Sequence, residues 1–132
     1  MHANDDPPVK TEGFELCDES IGVLEIITQQ TAHYWKSLTD KWGVENPLPP
    51  WKTSLDGMCD ALDESACRNP GQIPSFVERR HEEDALNQEK YSELPYPENQ
   101  LVSLAHSLIT REVFSEEELA QKLQEIRERL ST

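Results

Sequence analysis

The stretch Glu98-Asn99-Gln100-Leu101-Val102-Ser103-Leu104-Ala105-His106-Ser107-Leu108-Ile109-Thr110-Arg111 decides the fold class. Leu101, Leu104, Ala105, Leu108 and Ile109 recur at steps of three and four, the period of a helix with one apolar side. Just downstream, Ser115-Glu116-Glu117-Glu118 has capping-box spacing and sets three carboxylates at the positive end of the next helix dipole. That helix offers Leu119, Leu123, Ile126 and Leu130 for burial and closes with Arg127 and Arg129, the favourable sign for a helix C-terminus. Upstream, Leu94-Pro95-Tyr96-Pro97 breaks the chain.

The same reading extends to the rest of the sequence. Ser75-Phe76-Val77-Glu78 is another capping box and opens a densely charged helix from Phe76 to about Asn87, whose default reading is a solvated face. Asn69-Pro70-Gly71-Gln72-Ile73-Pro74 is a turn-rich loop. A helix begins near Trp51 with Pro50 in its first turn, carries the stripe Trp51, Leu55, Met58, Cys59 and Leu62, and fades by Ser65. Before it, Asn46-Pro47-Leu48-Pro49-Pro50 forces an extended linker, and Gly43 stops a helix expected from about Ser20 to Trp42 along Ile21, Leu24, Thr28, Thr31, Trp35, Leu38 and Trp42. No segment alternates like a strand. The expected fold is all-α, with about five helices over residues 20–132 behind an extended, flexible acidic arm over residues 1–19.

Composition narrows the function. Twelve basic and 26 acidic residues give 132 residues a net charge of -14, which repels nucleic acid and anionic membranes alike. No apolar run reaches the roughly 18 residues of a membrane span, and the N-terminal residues lack signal-peptide character. A soluble, cytoplasmic protein is expected. The apolar fraction of 36% and mean hydropathy of -0.72 are low for a self-sufficient globule. Cys17, Cys59 and Cys67 have no CxxC spacing and read as free thiols, Cys59 in the core and the other two in polar, exposable stretches. They and His2, His33, His81 and His106 show no metal-ligand spacing, so no metal is expected on this chain. Phosphate loops, dinucleotide fingerprints, HExxH, GxSxG and EF-hands are absent. Residue chemistry alone therefore leads to an acidic helical protein that partners something else.

Three segments sharpen this reading. They are Trp51-Lys52-Thr53-Ser54-Leu55-Asp56-Gly57-Met58-Cys59-Asp60-Ala61-Leu62; the charged helix whose Arg80 precedes Tyr91-Ser92-Glu93-Leu94-Pro95-Tyr96; and Phe114-Ser115-Glu116-Glu117-Glu118-Leu119. In order and spacing they resemble the N-terminal helical half of the nitrile hydratase β subunit and, equally, the short β subunit of thiocyanate hydrolase. The resemblance covers about 80 of the 132 residues. It implies a heteromeric enzyme that adds water to a C≡N group, inactive as this chain alone. A partner α subunit would hold Co(III) or Fe(III) in a claw of oxidised cysteines, and a separate barrel-type subunit would complete the complex.

By the same resemblance, Arg80 stands where the family places an arginine that hydrogen-bonds the oxidised claw. A planar, permanently charged fork of donors suits paired anionic oxygens and would tune the metal from outside its ligand set. Tyr96 stands where a family tyrosine reaches the pocket and orients substrate. Phe76, Arg79, Asn99 and Gln100 are the implied pocket edge. Where the family often has aromatic residues this chain has Arg79, Pro97, Asn99 and Gln100, an edge suited to a small or polar substrate. An accessory protein that escorts the α subunit and promotes its metallation is the alternative, and a generic helical interaction module is a third reading. With so little core, the isolated chain is expected to be marginally folded, which a shallow, low-midpoint urea transition would show and a stable cooperative monomer would contradict.

Overall fold

The computed structural model describes residues 17–131. It is all-α, with no strand or sheet among the described residues. From residue 22 onward, six α-helices follow one another among the described residues: α1 Gly22–Thr28, α2 Trp35–Trp42, α3 Lys52–Arg68, α4 Phe76–Gln88, α5 Glu98–Thr110 and α6 Glu116–Ser131, with a 3-10 turn Thr31–His33 between α1 and α2. The arm expected over residues 1–19 lies outside the described residues except for its last three. Of these Cys17 is packed in the core rather than exposable, and its thiol faces the carbonyl of Glu82 at 3.9 Å.

The one helix expected from Ser20 to Trp42 is instead two, which raises the count from about five to six. The reason is not local periodicity. Tyr34 is extended (φ -65°, ψ 145°), its hydroxyl donates to the carbonyl of Thr28, and the amide of Trp35 donates to Glu98 Oε2 at 2.6 Å. A carboxylate from α5 thus caps α2 and bends the chain away from α1. Trp42, placed on the expected apolar face, is 69% exposed. Gly43 ends α2 at φ 69°, a conformation that disfavours any Cβ.

α5 is the central element. One side, with Val102, Ala105 and Ile109, joins Ile21, Leu24, Leu86, Tyr91 and Leu94 in one apolar cluster; another, with Leu104 and Leu108, meets Leu55 and Cys59 of α3 in a second. The expected single stripe is accordingly incomplete. Leu101 is exposed, while Val102, Ser103, His106 and Ser107 are buried. A helix enclosed on several sides must satisfy its polar groups internally. Ser103 Oγ donates to Asn87 Oδ1 at 3.1 Å, and the hydroxyl of Tyr91 lies 2.7 Å from His106 Nδ1 with the rings edge to face.

Both capping boxes form, Ser75 with Glu78 and Ser115 with Glu118. α5 ends in a Schellman turn: the amide of Val113 donates to Leu108 O and that of Glu112 to Ile109 O, while Val113 packs against the cluster that contains Leu108. Glu112 occupies the left-handed position at φ 61°, where glycine is the unstrained choice.

α4 is where the solvated-face reading gives way. Arg79, Glu82 and Leu86 are all buried on it. Glu82 takes a two-pronged interaction from Arg111, Nη1 to Oε1 at 2.7 Å and Nη2 to Oε2, with side chains only 6% and 11% exposed. Burial disfavours the Arg111 charge, yet the hydrogen bonds and charge of Glu82 outweigh it and hold the guanidinium above its ordinary pKa. Removing one partner strands a buried charge, so Arg111→Leu or Glu82→Leu alone is expected to lower stability by about 3–5 kcal/mol. The double variant is expected to recover most of that loss, and urea denaturation of the three variants measures the cycle. Additive losses would show that the pair is not coupled.

Candidate functional site

The sequence-expected residues fall into three places. Phe76, Arg79 and Arg80 form a stack on the first turns of α4. The two guanidinium carbons lie 5.4 and 5.8 Å from the Phe76 ring centre, and the ring itself is 51% exposed. Such stacking holds planar cations on a π face. The two arginines differ sharply: Arg80 is exposed, whereas Arg79 is 6% exposed. Arg79 Nη2 donates to Asp63 Oδ1 at 2.6 Å, which ties the end of α3 to the start of α4. Its Nε is buried and has no acceptor.

Tyr96 occupies the second place, in the turn before α5, and is 61% exposed. The ammonium of Lys52 lies 5.5 Å from its ring centre. Lys52 sits in the first turn of α3, where the helix dipole is unfavourable to a cation. Asp56 one turn on hydrogen-bonds it and, outweighing burial, holds its pKa above the ordinary lysine value. Lys52 and Asp63 are separated by eleven helical steps, or about 16 Å at 1.5 Å per residue. Tyr96 and the arginine stack therefore stand at two ends of the α3 flank rather than in one pocket.

Between those ends lie two groups that the sequence did not single out as a pair. Cys59 is buried, and burial raises its thiol pKa against the lowering pull of Arg79. Glu83 is raised by burial, in spite of Arg80, Arg79 and Lys52, which pull it down. A thiol kept protonated is a packing group, not a nucleophile.

Asn99 and Gln100 form the third place, in the first turn of α5. Each carries a buried amide oxygen without a partner, as does Glu98 through Oε1. Consecutive positions of a helix point about 100° apart, so these oxygens do not converge on one ion. Among the described residues no group of three His, Cys, Asp or Glu side chains is arranged to hold a metal. Among the described residues no helix is long and apolar enough to cross a membrane.

A cavity of about 310 Å³ opens elsewhere, lined by Cys17, Asp18, Ala85, Leu86, Gln88, Glu89 and Lys90. It contains none of the sequence-expected site residues. Its one thiol, Cys17, is pushed up to about 11 by burial and by the charge of Glu82, which leaves it without nucleophilic character at neutral pH.

Comparison of the chain with protein families, curated proteins and solved structures finds no match. The site must therefore be judged on its own chemistry. Buried arginine was the part hardest to foresee, because Arg79 and Arg80 differ by one helical step and only the Asp63 pairing, sixteen residues away, tells them apart.

Glu83 supplies a test of the α3–α4 flank. Its folded-state pKa lies above the unfolded value, so its contribution to stability is fully present below the unfolded pKa and is lost as pH rises through the folded one. Glu83→Gln is therefore expected to be more stable than the parent at pH 7. That advantage should shrink as pH falls toward the ordinary glutamate range near ~4. Thermal melts across that span check it, and a variant less stable at pH 7 would contradict the burial argument.

Proposed function

We propose that this chain is the helical β-type subunit of a heteromeric enzyme of the nitrile hydratase and thiocyanate hydrolase kind, presenting the start of α4 and the start of α5 to a metal-bearing partner. One observation supports the reading. Among the described residues four buried side-chain polar atoms lack partners, and three of them belong to Arg79, Asn99 and Gln100, residues that the sequence resemblance had already put at a pocket edge. A buried donor or acceptor left unmade carries a desolvation penalty of about 1–3 kcal/mol. Such atoms are rare in finished folds and call for an explanation; a docked partner toward which these side chains turn would supply one.

The roles follow from the chemistry of each group. Arg80, exposed and stacked on Phe76, has its fork of donors free to reach anionic oxygens on a docked chain. Arg79 is pinned by Asp63, with its Nε buried behind that pairing, and would act by holding the stack in place. The hydroxyl of Tyr96, exposed beside the Lys52 ammonium, would position a polar substrate or water. On docking, the buried amide oxygens of Asn99 and Gln100 would turn outward and accept hydrogen bonds from the same partner. Cobalt or iron, held by that partner, would supply activation of the C≡N group when bound. A further, barrel-type subunit would close the complex.

The test is purification of the tagged chain from its host, with identification of bound proteins and metal. It is followed by assay of the complex carrying Arg80→Lys, Arg79→Lys or Tyr96→Phe. Loss of a donor outside the metal's own ligands typically lowers activity about 10- to 100-fold, and Arg80→Lys is expected in that range with the complex intact. A complex whose C≡N-hydrating activity is indifferent to all three substitutions would overturn the proposed roles. Release of this chain after metal loading, with full activity in its absence, would assign it instead as an accessory factor that promotes metal insertion.

A further inference from the structure

The last helix is polarised along its length. α6 is anchored at its beginning: Glu116 Oε2 accepts from the amide of Val23 at 3.0 Å, and Leu119 packs against the cluster that contains Leu24. α1, against which it lies, has seven residues and α6 sixteen, about 10 and 24 Å of helix respectively. α1 is too short to cover α6. No residue of α6 is fully buried; Leu119, Leu123 and Ile126 are half-buried and Leu130 is 78% exposed.

Along that incompletely covered length, Leu119, Leu123, Ile126 and Leu130 are spaced four, three and four, the a/d alternation of a helix-pairing seam. The positions flanking the seam are Ala120, Lys122, Arg127 and Arg129, whereas Glu117, Glu118, Gln121, Gln124, Glu125 and Glu128 lie on the outward positions. Every basic residue of α6 thus borders the seam in a chain of net charge -14. Lys122 reaches Glu125 only at 3.6 Å, with both side chains mostly exposed, a contact too weak and screened to neutralise Lys122.

This charge arrangement selects the occupant. Two copies of α6 paired in parallel would set Lys122 against Arg127 of the second copy; paired antiparallel, they would set Lys122 against Arg129. Both arrangements oppose like charges. A helix whose own apolar seam is flanked by carboxylates meets the same strip with complementary charge at each flank. We propose that the Leu119–Leu130 strip of α6 is a docking site for an acidic-flanked amphipathic helix of another protein. This is independent of the enzymatic reading above.

The test uses the full chain and two synthetic helical peptides of about three heptads, with Leu at every seam position and either Glu or Lys at every flank. Fluorescence anisotropy is expected to show the Glu peptide binding at least ~10-fold more tightly than the Lys peptide, with an advantage that falls as salt rises. The pair Lys122→Glu and Arg127→Glu, both on exposed positions, is expected to reverse that order while circular dichroism stays unchanged. Equal binding of both peptides, or none, overturns the proposal, and so does concentration-dependent dimerisation of the parent chain that Leu130→Asp abolishes. Should the Glu peptide bind only after deletion of residues 1–16, the strip is covered by the chain's own acidic arm and the partner reading is overturned. The comparison of the two peptides on the parent chain stands even if the double variant fails to fold.

Discussion

The buried pair of Arg111 and Glu82 fixes how the rest of the molecule packs. A lone carboxylate at the Glu82 position, 6% exposed, would be intolerable in a low-dielectric interior, so α4 can settle against α5 only where a guanidinium meets it. Arg111 follows α5 directly and reaches Glu82 in the middle of α4. Once that register is set, Tyr91 beyond the end of α4 arrives at His106, and Asn87 arrives at Ser103. These three polar contacts sit among Leu86, Leu94, Val102 and Leu104. They supply direction to a core that apolar burial alone would leave free to slide.

Local signals were legible in the sequence because their physics is local. The two capping boxes, the Gly43 stop, the proline breaks and the turn at 69–74 each depend on residues within a few positions of one another. Failures of the sequence reading have the opposite character. The division of residues 20–42 into α1 and α2 depends on Glu98, far along the chain, capping Trp35. The burial of Arg79 and Glu82 depends on Asp63 and Arg111. Neither acid nor base announces its partner by spacing, and an isolated helix with so many charges is indistinguishable from a solvated one. The enclosure of α5 was hidden for a related reason. Ser103, His106 and Ser107 look like a polar side until Tyr91 and Asn87 are brought to two of them.

The candidate site was legible to the same degree. Stacking of Arg79 and Arg80 on Phe76 follows from their placement in one helical turn and needs no tertiary information. What spacing could not supply is the division between them. Asp63 immobilises one guanidinium inside the protein and leaves the other in solvent. Lys52 beside Tyr96 was equally out of reach, since the two are 44 positions apart and only the fold brings the ammonium over the ring.

Three cations in this acidic chain are placed with a common logic. Arg79, Arg111 and Lys52 are buried or nearly so, each matched to a carboxylate that holds two elements or two turns together. With those bases drawn inward, the outer surface is left more acidic than composition alone implies, and self-association is opposed over much of it. The basic border of α6 is placed differently. A cationic stripe beside an apolar seam would be neutralised cheaply by moving its lysine and arginines to the outward positions now held by glutamates. The opposite distribution leaves like charges wherever two copies meet and complementary ones wherever an acidic helix does. The same charge balance that keeps this small protein from pairing with itself thus leaves it one edge with a definite preference for what it accepts.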